Sequence, residues 1–142
     1  MNTKKLIIAV LAVFVLLEAT GYLIHGVLLS STYMQEAISK VFRPMAEMDA
    51  MMWRMWIADF VFSFFFVFIF TKGYQNKGIM EGVRYGVYIA LFMNFSASVA
   101  QNVFYSIPYT LALQWFIYGS IQMVLLGVVA AFIYKPAEAK PS

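Results

Sequence analysis

The stretch Pro44 to Lys72, PMAEMDAMMWRMWIADFVFSFFFVFIFTK, decides the fold. It joins a methionine-rich segment to a phenylalanine-rich run, with a single acid, Asp59, between them. An ionised Asp near the middle of a bilayer costs about 3 kcal/mol or more, so Asp59 is expected to face protein or water and to be shielded by other apolar segments. Pro44 suits the first turn of a helix, where its missing N–H is an orphan in any case, and Glu47 and Asp49 favour the positive end of the helix dipole. This predicts one helix that begins outside the bilayer and runs on the order of 43 Å at ~1.5 Å per residue. Trp53 and Trp56 mark its interface, so the part in lipid is 52–72, and Thr71-Lys72-Gly73 ends it.

The rest of the 142-residue chain has the same character. It is 63% hydrophobic and only 12% charged, with mean hydropathy +0.77, whereas a soluble domain carries about 25% charged residues. With no cysteine, disulfides, thiolate metal sites and cysteine nucleophiles are excluded. The net charge of +3 does not point to nucleic acid, because no basic run exceeds Lys4-Lys5 and the aromatic residues sit in apolar spans.

Working outward, residues 5–30 contain LIIAVLAVFVLLEATGYLIHGVLL, long enough to cross a bilayer as a helix. The run begins like a signal peptide, with Lys4 and Lys5 ahead of an apolar segment and Ala19-Thr20-Gly21 as a cleavage box. The apolar pattern continues to Leu29, which a cleaved signal does not require, so it is read as a retained first span. Residues 33–43 place Met34, Ala37, Ile38, Val41 and Phe42 at helical spacing, the pattern of a segment lying along a membrane surface. After the short polar connection GYQNKG comes a third span, 79–105, with Gly82, Gly86, Ala90, Asn94 and Ser98 at fourfold spacing. Such a small-residue stripe lets another helix approach closely. Ser106-Ile107-Pro108 turns the chain into a fourth span, 108–134, which carries Gly119 and Gly127.

The fold expected is all-α: an integral-membrane, up-down four-helix bundle with an interfacial helix in the first extracytoplasmic loop. It forms one domain over 1–136, and a tail over 137–142 is expected to be disordered. Lys4, Lys5, Lys72, Lys77, Arg84, Lys135 and Lys140 fall on one side and Lys40, Arg43 and Arg54 on the other. That bias places both termini in the cytoplasm of a bacterial inner membrane.

Each span carries polar residues. Glu18 and His25 are seven apart, which on a regular α-helix puts them on one face, and Asp59 comes on the second span. Asn94 and Gln101 lie on the third span, and Gln114 and Gln122 on the fourth. Glu18, His25 and Asp59 fit a proton relay, ion path or metal site, but a set of polar anchors that hydrogen-bond to the amides is the reading preferred. Met45, Met48, Met52 and Met55 are soft donors of the kind that suits Cu(I), but their three-and-four spacing is also that of a packing seam, which is the reading preferred. No phosphate loop, hydrolase elbow or metal-binding histidine pair occurs, and a bis-histidine haem within one chain is excluded because His25 stands alone.

The segments GYLIHGVLL (21–29), MWRMWIADFVFSFFFVFIFTKG (52–73), EGVRYGVYIAL (81–91) and QMVLLGVVAAFIYKP (122–136) resemble uncharacterised small bacterial four-span inner-membrane proteins. Those share a Gly-Tyr-Leu-x-x-Gly segment in the first helix and a small-residue third helix. The resemblance implies fold and location, and no activity. This chain departs from the pattern in its phenylalanine-rich second helix and long methionine-rich loop. The function expected is a non-catalytic accessory or self-associating subunit that packs against other membrane helices. The alternatives are a proton-linked transporter or channel using Glu18, His25 and Asp59, and an outer-face Cu(I)-binding protein. An enzyme would need a cofactor that the residues do not advertise, and none is expected.

Overall fold

The computed structural model describes residues 2–134, so the tail expected over 137–142 lies outside the described residues. Those residues form helices and connections, with no strand among them. The elements are α1 (Thr3–Gly21), continued by a π-helix (Tyr22–Leu28), and the single turns α2 (Ser30–Tyr33) and α3 (Glu36–Ser39). Next come α4 (Met45–Gly73), α5 (Ile79–Ile89), a second π-helix (Ala90–Phe95), α6 (Ser96–Phe104) and α7 (Tyr109–Ile133). Four helical stretches are long and apolar enough to cross a membrane: Thr3–Leu28, Met45–Gly73, Ile79–Phe104 and Tyr109–Ile133.

Local chemistry sets the helix ends. The Asn2 side chain accepts from the Lys5 backbone N–H at 3.1 Å and so caps α1. Pro44 and Pro108 precede α4 and α7, where a residue without an N–H costs nothing. Between α4 and α5, Gly78 has φ +77°, a conformation in which a side chain would be strained. The Glu81 carboxylate accepts from the backbone N–H groups of Gln75 and Lys77 at 2.5 and 2.9 Å, which ties this turn to the first turn of α5.

The most extensive helix contact is between α5 and α7. A Cβ on Gly82 would collide with the Gly127 carbonyl, and one on Gly86 would lie 2.5 Å from the Met123 carbonyl oxygen. Here the small-residue stripe is used inside the chain: Gly82, Gly86, Ala90 and Gly127 are all buried. Helix α7 also packs on α1, and α1 packs on α4. Helix α4 meets α5 through long side chains. The Tyr85 hydroxyl donates to the Phe66 carbonyl at 2.7 Å, and the Tyr85 ring lies 4.8 Å from that of Phe66 and 5.3 Å from that of Phe70.

Buried residues divide into two clusters. One draws on all four long helices, with Leu6, Val13, Phe66, Val67, Leu126 and Ala130 among its members. Tyr134 belongs to it, and its hydroxyl accepts from the Asn2 N–H at 3.4 Å, so the two described ends meet there. The other cluster contains Ile24, Leu29, Ile38, Ile107, Leu111 and Ala112, and nothing from α4. The buried residues of α4 are Ser63, Phe66, Val67 and Phe70, so none lies between Met45 and Phe62.

Two elements differ from expectation. Residues 33–43 do not form one surface helix: Gln35 is extended, with ψ 133°, and splits the segment into single turns. Ile38 is then buried while Met34 points away, 80% exposed. The methionine stretch does form the start of one long helix, but no packing seam within this chain covers it. Met45, Met52 and Met55 are exposed and Met48 is half-buried.

Candidate functional site

A cavity of about 420 Å³ lies beside the second cluster. Its walls are Ile24 and His25 of the first π-helix, Tyr33 and Phe42 of the connection, Asn94 of the second π-helix, Ala97, Ser98 and Gln101 of α6, and Trp115, Gly119 and Gln122 of α7. Both π-helices therefore contribute to it, and such widened turns frequently occur at functional sites. No Asp, Glu, Lys or Arg lines the cavity.

One wall is aromatic and held by hydrogen bonds. Trp115 Nε1–H donates to the Tyr33 hydroxyl at 2.7 Å, and that hydroxyl lies 2.7 Å from His25 Nδ1. The hydroxyl accepts from the indole and either donates to Nδ1 or accepts from it, according to the imidazole tautomer. Phe42 closes the group, with its ring edge-on to Tyr33 at 5.5 Å and to Trp115 at 6.3 Å. Burial raises the Tyr33 pKa above the ordinary tyrosine value, and the hydrogen bond from Trp115 offsets part of that rise.

Another part of the lining is polar. Asn94, Ser98 and Gln101 occupy positions i, i+4 and i+7, and all three residues line the cavity. Asn94 Nδ2 is buried with no hydrogen-bond partner and packs against Gly119, where a Cβ would lie 2.8 Å from it. Gly119 is thus the seat for an amide as well as a close-packing position. Gln122 closes the inner end: its Nε2 donates to the Leu17 carbonyl at 3.2 Å and to the Thr20 hydroxyl at 2.7 Å, joining α7 to α1.

Glu18 and Asp59 meet elsewhere. Their carboxyl groups interact across the α1–α4 contact, next to the edge-on Phe14–Phe60 pair at 5.7 Å. One Glu18 oxygen, Oε1, is buried without a partner, and the Ser63 hydroxyl donates to the Asp59 backbone carbonyl at 2.7 Å. Compared with known protein families, curated proteins and solved structures, the chain matches none.

The residues singled out by sequence thus fall into separate groups. Glu18 and Asp59 come together, while His25, Asn94, Gln101 and Gln122 surround the cavity. Glu18 and His25 make separate contacts: Glu18 meets Asp59, and His25, where the helix has π geometry from Tyr22, bonds to Tyr33. Gln114 is half-buried and lines no part of the cavity. Among the described residues, no group of three or more His, Asp or Glu side chains is placed to hold a metal ion. Sequence reasoning missed Tyr33, Phe42 and Trp115; the available signal was that each lies near the same expected span end.

Proposed function

We propose that this chain is a multi-pass protein of the bacterial cytoplasmic membrane that binds a small uncharged ligand in the cavity among α1, α6 and α7. Its four spans run up and down, both termini are cytoplasmic, and residues 33–43 cap the outer end. The observation that carries this reading is a cavity lined by the polar residues Asn94, Ser98 and Gln101, beside which the buried Asn94 Nδ2 has no protein partner. Buried polar groups are ordinarily satisfied, so such a group calls for a ligand or water in the cavity. A charged ligand would find no counter-charge on the lining, and His25 is bonded to Tyr33 rather than to the Ser98 hydroxyl, so no nucleophile–base pair is assembled there. Purification in mild detergent and then mass spectrometry of bound small molecules tests the proposal. Wild type is expected to carry a neutral compound that Ser98→Leu loses; a chain that carries only water and bulk lipid overturns it. A reporter fused after Tyr134 tests the orientation, with a cytoplasmic signal expected.

A second reading, an accessory subunit packed against another membrane protein, rests on a different observation. The first part of α4, through Phe62, buries no residue within the chain and offers Trp53, Trp56 and Ile57 to its surroundings. Crosslinking from Trp56→Cys in native membranes is expected to capture one protein species under that reading, and lipid alone if α4 simply faces the bilayer.

A further inference from the structure

We infer that the cavity is a binding site for a quinone-type headgroup, an uncharged ring whose oxygen atoms accept hydrogen bonds. This rests on the ligand-binding reading above and adds the class of ligand and its route of entry.

Three features of the site select that chemistry. First, the donors are neutral: the side-chain amide of Gln101 and the hydroxyl of Ser98, both on residues of the lining, offer protons to an acceptor without presenting a formal charge. A phosphate or carboxylate headgroup would lack a cation, and an ammonium would lack an anion. Second, part of the lining is aromatic. The Trp115 indole is held in place by its bond to Tyr33, so a flat ring can stack on it without that wall having to be ordered at the moment of binding. Third, the lining runs along α7 from Trp115 to Gln122, seven residues or roughly 10 Å at ~1.5 Å per residue.

The route of entry is set by what closes the site. The hydrogen bonds and ring contacts among His25, Tyr33, Phe42 and Trp115 tie the aromatic part of the lining to the connection. Behind them, Leu29 and Ile38 are buried, which makes the plug apolar. By contrast, α4 supplies no residue to the lining, and the side it leaves uncovered is the one from which the ligand enters. A lipid-dissolved molecule therefore reaches Gln101 and Ser98 by lateral entry, its ring inside and its tail left in lipid.

Tryptophan fluorescence provides the test, because Trp115 lies in the wall whereas Trp53 and Trp56 are exposed on α4. The Trp53→Phe/Trp56→Phe variant reports from the cavity alone, and Trp115→Phe reports non-specific partitioning. Both are placed in lipid nanodiscs and titrated with decylubiquinone, and in parallel with methyl glucoside as a water-borne neutral polyol. Saturable quenching of Trp115 by the quinone is expected, with linear, weaker quenching of Trp53 and Trp56. Gln101→Leu and Ser98→Ala, each introduced into the Trp115-only chain, are expected to raise the half-saturation concentration about tenfold, the effect of losing one good hydrogen bond. Ser98→Ala keeps the test valid if Gln101→Leu fails to fold. Identical quenching of cavity and surface tryptophans overturns the quinone site. Saturation by methyl glucoside but not by the quinone overturns the ligand class and lateral entry while the binding cavity stands. A Trp115 signal that neither compound saturates removes both proposals.

Discussion

The two clusters of buried side chains solve the problem of packing four apolar helices differently. Around Leu6, Phe66 and Leu126, all four long helices contribute and backbone meets backbone at Gly82 and Gly127. Around Ile24 and Leu111, α4 is missing, and the space is filled by a folded connection and a cavity with polar walls. Where lipid replaces water as the surroundings, burying apolar surface contributes little, so close packing and hydrogen bonds must hold helices together. The first region uses both, with the buried Glu18 Oε1 left unpaired at the α1–α4 contact, and the second leaves Asn94 Nδ2 unpaired beside a cavity.

The contrast breaks most sharply at the α5–α7 contact. Gly86→Leu is expected to destabilise the protein by at least about 3 kcal/mol, because the new side chain meets the Met123 and Val124 backbone rather than a movable side chain. The readout is loss of the monodisperse peak in detergent gel filtration. If Gly86→Leu instead folds normally and only dissociates an oligomer, the stripe serves contacts between chains rather than the α5–α7 contact within one.

Single hydrogen bonds give smaller effects in either region. Tyr85→Phe removes the bond to the Phe66 carbonyl and leaves the ring packed, for a loss of about 1 kcal/mol. Gln122→Leu removes two bonds to α1 at the cavity's inner end, and a loss of similar size is expected. Thermal unfolding in detergent measures both. Ser98→Ala, at a residue without a protein partner, is expected to change stability by less than either, because it removes no bond within the protein. A large loss for Ser98→Ala would mean that the polar row is structural.

The plug is sharpened by pH. Because the Tyr33 pKa in the folded protein lies above the unfolded value, its contribution is complete below about pH 10. It is lost as pH rises through the folded value, so stability declines with increasing alkalinity. Tyr33→Phe should flatten that decline and delete one late step from the ultraviolet titration of the tyrosines. If the late step persists in Tyr33→Phe, another tyrosine accounts for it.

Much of the scaffold is readable from composition and spacing. The long apolar runs and the prolines at 44 and 108 mark four helices whose bounds agree closely with those observed. The fourfold spacing of Gly82, Gly86 and Ala90 identifies a close-approach face, but not that α7 of the same chain occupies it. The site was less legible for two physical reasons. Periodicity assumes a regular helix, and the π-helices at Tyr22 and Ala90 rotate the residues beyond them, which is why Glu18 and His25 part company. The bond from Trp115 to Tyr33 spans 82 positions, and no local pattern encodes a pairing at that distance. The amide at Asn94 was visible as a polar residue in an apolar span, whereas its seat on Gly119 was not.

The chain's lack of cysteine permits a direct comparison of the two regions by single-cysteine labelling. Ser98 lines the cavity, and Ser63 is fully buried on α4 within the contact region of the long helices. In native membranes, Ser98→Cys is predicted to react with a small neutral methanethiosulfonate reagent while Ser63→Cys stays unmodified under the same conditions. Equal protection of both positions, or equal reaction at both, would contradict the central claim that one region is a closed scaffold and the other an accessible site.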